Sequence, residues 1–181
     1  MKFLTIRQPW ASLIAVGAKT IETRPFSTTY RGPLAIHAGK ANPPYFWNLG
    51  GWTVGRLDPH EPRRMFTHDS PIIDLPLGAV VAVCDLVDVV PIVDGAGCRD
   101  GGYHCCVASW GALLHSPLHE PWPDGETEHD ASDQIPFGDF TPGRYAWLLE
   151  NVRPVEPVPM KGAQGLRDVP AVLAQIEGVT Q

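Results

Sequence analysis

Phe3, Leu4 and Ile6 open the chain as a short apolar run, the pattern of a strand. Pro9 then suits the first position of a helix, because its fixed φ fits and its missing N–H would have no partner there. Trp10, Leu13, Ile14 and Gly17 follow at i, i+3, i+4 and i+7, an apolar helical face that Gly17 ends by taking the left-handed conformation. Lys19 to Arg24 is rich in β-branched residues and predicts a strand. Its alternation sets Thr20, Glu22 and Arg24 on one face, where a Glu and an Arg two apart brace each other, and Ile21 and Thr23 on the opposite face. Pro33 to Ala38, between Gly32 and Gly39, reads as the next strand. Gly78 to Val90 is the strongest strand pattern, buried on both faces at its start, with Asp85 and Asp88 marking a bend or an edge.

The remaining segments are less regular. Residues 41–76 hold Tyr45, Phe46 and Trp47, then Gly50-Gly51 and many prolines, which reads as a loop-rich insertion with one short helix. A second insertion spans about 94–139, with Val107 to Leu114 compatible with a helix. Its later part, from Leu118 to Asp139, has seven acids and no Lys or Arg, the composition of a solvated loop. Tyr145 to Glu150 and Val152 to Val158 read as two strands, Met160 to Leu166 as a Gly-punctuated loop, and Pro170 to Ile176 as a closing helix. Six or so short strands with two or three helices predict an α+β chain, a small mixed β-barrel flanked by helices, in a single domain over residues 1–181.

Composition narrows the class. Gly and Pro number 18 and 19 in 181 residues, which favours short elements and long loops over a helical bundle. Arg7, Gln8 and Pro9 break the first apolar run, so no secretory signal is expected, and no stretch is long enough to span a membrane. Four cysteines, two of them adjacent, do not form a secreted disulfide framework, and a cytoplasmic protein is expected.

Charge changes the picture most. The chain has 14 basic and 20 acidic residues, yet positions 1–40 hold six basic residues against Glu22 alone, a local net of +5. The other eight basic and nineteen acidic residues leave positions 41–181 at −11. Positive charge gathered into one segment of an acidic protein points to a site for an anion. The same segment carries Trp10, Phe26 and Tyr30, flat groups on which a base can stack.

The central candidates are Lys19, Glu22 and Arg24. A carboxylate accepts from an exocyclic amine such as cytosine N4 or adenine N6, while Lys or Arg satisfies a base carbonyl, N7 or a phosphate. Arg7 and Gln8 lie at the helix mouth, where unpaired N–H groups favour an anion. Trp10 is placed by its spacing for core packing rather than stacking. Tyr30 and Arg31 precede a turn Gly and are expected to be exposed, and Lys161 is set for a phosphate contact from a Gly-flexed loop. His37, within an apolar strand, reads as a core or barrel-mouth histidine. In an enzyme, Glu22 would activate water, Lys19 would stabilise the developing anion and His37 would transfer a proton. Cys98, His104, Cys105 and Cys106, or His115 and His119, match no common zinc spacing, and Pro117 opposes a helix carrying the last pair. No Gly-rich phosphate loop joins a strand to a helix, so no metal and no cofactor are expected.

Three motifs in order, Ile-Arg-Gln-Pro-Trp-Ala-Ser-Leu-Ile at residues 6–14, Gly17-x-Lys19-x-x-Glu22-x-Arg24, and Tyr-Arg-Gly-Pro-Leu-x-Ile-His from Tyr30 to His37, resemble the ASCH domain family of the PUA-like superfamily. Gly78 to Asp88, Phe137-Gly138 with Gly143 to Trp147, and Lys161-Gly-x-x-Gly-Leu166 resemble later parts of it. The resemblance implies a PUA-sized β-barrel with a cleft beside the first helix. It also implies nucleic-acid binding, some members acting on nucleic acid or on modified nucleosides. Relatives that hydrolyse N4-acetylcytidine use a Lys followed three residues later by a Thr nucleophile; here Lys19 is followed by Glu22. The expectation is a module binding RNA or single-stranded nucleic acid. The alternatives are a hydrolase of a modified nucleoside such as N4-acylcytidine, a ribonuclease, or a protein-interaction module.

Overall fold

A computed structural model describes residues 1–41, 46–49, 52–55, 64–67, 73–94, 104–108, 111–115 and 128–170. In chain order the elements are β1 (Lys2–Ile6), α1 (Trp10–Ala15), β2 (Ile21–Arg24), β3 (Gly32–Ala38), β4 (Phe46–Leu49), β5 (Trp52–Gly55), β6 (Arg64–Phe66) and β7 (Ile73–Asp74). They continue with β8 (Ala79–Asp94), β9 (His104–Ala108), β10 (Gly111–His115), β11 (Glu128–Asp130), a 3₁₀ helix (Ser132–Phe137), β12 (Tyr145–Pro159) and β13 (Leu166–Asp168). The architecture is α+β, mostly strand. No helix among the described residues is long and apolar enough to cross a membrane.

The chain divides into two compact units, with β8 and β12 each contributing residues to both. One unit is formed by Met1–Lys19, Pro33–Asp85 and Asn151–Gln181. Here β1 pairs in parallel with β3, from Lys2 opposite Leu34 to Ile6 opposite Ala38, and antiparallel with β13. A parallel pair cannot be joined by a tight turn, so residues 7–31 form a long crossover that carries α1 and β2. The next strand beyond β3 is β8. Phe3, Ala35 and Val80 pack with Val155, Val158, Met160 and Val169. Fully buried Leu13 and Ile14 anchor α1, each contributing roughly 1.5–3 kcal/mol. Gly17 takes φ +76 just after the helix, as the sequence predicts. Burial pushes the Cys84 thiol up to about 12, its Sγ–H donating to Leu34 O.

The same unit holds a small antiparallel sheet in the order β4-β5-β6-β7, where the sequence suggested loops and a short helix. Phe46, Trp47, Trp52, Thr53, Val54 and Phe66 are residues that favour strands, and the Gly and Pro residues fall between them. Arg64 Nε lies 2.9 Å from Asp74 Oδ1 across two of these strands.

The second unit comprises Thr20–Gly32 and Leu86–Glu150. In it β2 pairs antiparallel with β12, Ile21 opposite Leu148 and Arg24 opposite Tyr145. The end of β8 pairs in parallel with β9, which continues antiparallel to β10 and β11. The helix expected over Val107 to Leu114 is instead the β9–β10 hairpin, Ala108 opposite Gly111. Gly111 is among the poorest helix formers, and Val and Cys pack well on a pleated surface. Ile21, Val90, Ile92, Ala131, Phe140, Ala146 and Leu148 make this unit's core. Part of the acidic segment is ordered as β11 and the 3₁₀ helix, while its residues 118–127 lie outside the described residues, as does the predicted closing helix beyond Pro170.

Two further expectations change. Tyr145 to Val158 is one strand rather than two, passing through Asn151 at φ 49, a conformation that Asn tolerates. Asn151 Nδ2 donates to Asp85 Oδ2 at 3.0 Å. The strand pairings also do not close into a barrel, since β11 and β13 each end the described path with one partner. At the far end of β12, Met160 N–H donates to Gly78 O at 2.9 Å, and Pro157 and Pro159 occupy the alternating positions just before it.

Candidate functional site

The β2–β12 register builds one polar face in the second unit. Residues directly opposite on antiparallel strands point the same way, so Glu22 shares a face with Trp147, and Arg24 with Tyr145. Ile21, Ala146 and Leu148 take the other face, in the core. Glu22 is 7% exposed, and its Oε1 lies 3.0 Å from Arg24 Nε, the mutual bracing that the strand alternation predicts. Trp147 is fully buried; its indole N–H donates to Phe26 O at 3.2 Å, and its ring meets Phe26 edge-on at 5.5 Å. The arrangement offers a carboxylate, a guanidinium and the half-buried ring of Tyr145 together.

Two supports hold β2 in place. Gln134, buried on the 3₁₀ helix, accepts from the N–H groups of Thr20 (2.8 Å) and Ile21 (3.3 Å) through Oε1. On the other side Thr23 Oγ1 accepts from Asp139 N–H at 3.0 Å, and Arg144 donates to Thr23 O at 3.3 Å. Asp139 also receives the Thr141 hydroxyl and N–H, which hold its carboxyl below the usual range, with Arg144 adding a smaller pull. None of Gln134, Tyr145 or Trp147 stood out as a site residue in the sequence. The strand register brings Tyr145 and Trp147 to β2 and a side-chain hydrogen bond brings Gln134, and no local spacing carries either.

Arg31 and Tyr30 belong to the same unit. Arg31 Nη2 is 2.9 Å from Asp88 Oδ1, whose carboxylate is buried and also accepts from Val89 N–H, and Nη1 donates to the carbonyls of Thr28 and Tyr30. Arg31 thus ties the start of β3 to β8, while Tyr30 is half-buried.

The other candidates lie in the first unit. Gln8, 1% exposed, donates from Nε2 to Ser12 Oγ and to Pro76 O, both at 2.8 Å, and accepts from Ser12 N–H at 3.1 Å. It caps the opening turn of α1. Trp10 is half-buried, whereas its spacing predicted core packing; Ala11, Ser12, Leu13 and Ile14 are the residues that α1 buries. Lys19 is 0% exposed, and its N–H donates to Leu13 O at 3.0 Å to close the helix.

His37 is 1% exposed, with Nε2 at 3.0 Å from Met160 O. A carbonyl only accepts, so Nε2 carries the proton, and Nδ1 faces Gly162 with no hydrogen-bond partner among the described residues. His37 therefore fastens the loop carrying Lys161, itself exposed, onto the sheet. Of the metal-ligand candidates, Cys98 and His119 lie outside the described residues, and the backbone register sets His104 opposite His115.

Fold and face together define an α+β protein whose first crossover strand presents a braced acid–base pair beside aromatic rings. The ASCH domain model matches residues 4–159, and the chain belongs to the ASCH domain family. No curated protein matched it.

Proposed function

We propose that this chain is a nucleic-acid-binding module that takes RNA or single-stranded nucleic acid and reads a base or modified base at the Glu22–Arg24 face. The observation that carries this reading is the pair of buried Glu22 and half-buried Arg24, with Tyr145 and Trp147 on the same strand face, in a member of the ASCH domain family. The carboxylate is an acceptor for an exocyclic amine, the guanidinium a donor to a base carbonyl or ring nitrogen, and the tyrosine ring a surface for stacking. Glu22 stands where a hydrolytic relative would carry its nucleophile, which favours reading a base over cleaving it.

The test is Glu22→Gln, with binding followed by the anisotropy of labelled single-stranded RNA. The amide keeps an accepting oxygen but loses the charge, so affinity should fall by about 1 kcal/mol, roughly fivefold. The wild type, incubated with N4-acetylcytidine and with RNA, should release no acetate and cut no chain. Turnover by the wild type that Glu22→Gln lowers by about two to four orders of magnitude, as loss of a general base does, would replace this reading with a hydrolase or ribonuclease.

A further inference from the structure

We infer that Arg7, Lys40 and Lys161 form a second, purely electrostatic contact region at one end of the first unit's sheet, where they hold the phosphates of a single-stranded nucleic acid. This deepens the binding reading above and rests on it, by adding contacts to the backbone of the same class of ligand. Arg7 and Lys161 are 154 positions apart, and backbone hydrogen bonds between successive strands bring the three segments to the same end of the sheet.

Ile6, just before Arg7, sits opposite Ala38, and Gly39 N–H donates to Ile6 O at 2.8 Å, so Arg7 and Lys40 follow the same ends of neighbouring strands. Gly78 N–H donates to Ala38 O at 2.8 Å, and Met160 N–H to Gly78 O at 2.9 Å, which carries the same end across to Lys161. The loop then folds back: Ala163 N–H donates to Thr5 Oγ1 at 3.1 Å, and Gly162 packs on His37. With neighbouring strands about 5 Å apart, three cations on this end suit consecutive phosphates.

The side chains are available. Arg7, Lys40 and Lys161 are exposed, and none has a side-chain partner among the described residues. Lys40 is also positioned: a Cβ added to Gly78 would lie 2.8 Å from Lys40 Cε and 3.1 Å from its Cγ, so the lysine stem runs across the bare Gly78 backbone. Residues 5–8, 38–41, 75–78 and 160–164, which make up this end, contain no Asp or Glu in a chain of net charge −6. Asp74, the nearest acid in sequence, is occupied by Arg64 at 2.9 Å. An acid-free group of three cations on such a chain attracts an anion, and sequence-independent binding of nucleic acid rests on such contacts.

The probe is a fluorescein-labelled oligocytidylate of about 12 nucleotides, within the usual span of a single-strand groove and carrying the exocyclic amine that Glu22 would accept from. Binding is titrated at several salt concentrations for the wild type and for the triple variant Arg7→Gln, Lys40→Gln, Lys161→Gln. Each phosphate contact adds about 0.7 to the slope of log affinity against log salt, so the variant's slope should flatten by about 2. Its low-salt affinity should fall at least tenfold, with an unchanged melting temperature. Arg153→Gln, roughly 20 Å up β12 from Met160 at about 3.3 Å per residue, should leave the slope alone. A triple variant that keeps the wild-type slope overturns the phosphate region while leaving the base-reading proposal standing. A wild type that does not bind the probe at any salt overturns both. Glu22→Gln distinguishes the two sites, lowering affinity without changing the slope.

Discussion

Gly162→Ala should destabilise the first unit by steric conflict alone. An added Cβ would lie 2.7 Å from His37 Cε1, 3.0 Å from His37 Nδ1 and 3.1 Å from Thr5 Oγ1. Carbon contacts are comfortable at about 3.5–4.0 Å, so the overlap approaches 1 Å. The ring has nowhere to go: it is 1% exposed, hydrogen-bonded to Met160 O at 3.0 Å and meets Phe3 edge-on at 6.2 Å. Either the strain stays, at a typical overpacking cost of about 1–3 kcal/mol, or the loop lifts. Lifting breaks the Ala163–Thr5 and His37–Met160 hydrogen bonds, each contributing roughly 0.5–1.5 kcal/mol. Either route leads to about 2 kcal/mol, and at roughly 2–4 °C per kcal/mol for a chain of this size the melting point should fall by about 5 °C. Thermal and urea unfolding by circular dichroism measure it. Gly165→Ala is the control: nothing lies within 4 Å of its added Cβ, and its φ of +71 exposes only the left-handed penalty, about 1–2 kcal/mol. A Gly162→Ala protein that melts with the wild type would refute the packing of the loop on His37. If the loop lifts, Lys161 moves with it, and the salt slope of RNA binding should flatten by about 0.7.

Two other substitutions test single contacts. Gln8→Ala removes a side chain that satisfies Ser12 and Pro76 from a buried position, and should cost about 1–3 kcal/mol in urea unfolding. RNA affinity measured well below the transition should hold, and a tenfold loss of affinity without a loss of stability would make Gln8 a ligand contact instead. Thr141→Val removes the hydroxyl that does most to hold the Asp139 carboxyl low, so that carboxyl should titrate at higher pH when followed by carbon NMR. Because the folded value is depressed, this interaction stabilises above the ordinary carboxylate range, near pH 4, and is lost as pH falls through the folded value. The variant should lose less stability over that acid interval than the wild type, and an unmoved Asp139 titration would show that the hydroxyl has no such effect.

Local pattern was readable where one element decides its own form. β1, α1, β2 and β3 follow from alternation, from the i, i+3, i+4 apolar face and from Gly17, all within a few residues. The Glu22–Arg24 pairing was likewise a matter of two positions on one strand. The aromatic residues beside that pair were not, since nothing near Glu22 in sequence says that Trp147 will lie opposite it. Gln8 and Arg31 have partners that the sequence does not reveal, for a related reason. A polar side chain at a helix mouth or before a turn is equally suited to a ligand and to a backbone carbonyl or buried carboxylate, and here Pro76 and Asp88, distant in sequence, take them. The strands of residues 46–74 were hidden because Gly and Pro between very short strands look like a continuous loop.

The two prolines at the end of β12 bear on how this protein behaves when concentrated. Met160 gives its N–H to Gly78, just before β8, so by alternation residues 157 and 159 turn their backbone nitrogens to the opposite flank, where no described strand pairs with that half of β12. Both are proline and have no hydrogen to offer. An intruding strand, from a second copy or a misfolded neighbour, would find two of its carbonyls without donors at the place where a bare sheet margin most invites addition. The sheet thus carries its own guard against templated aggregation, in a stretch where Val155 and Val158 would otherwise favour it.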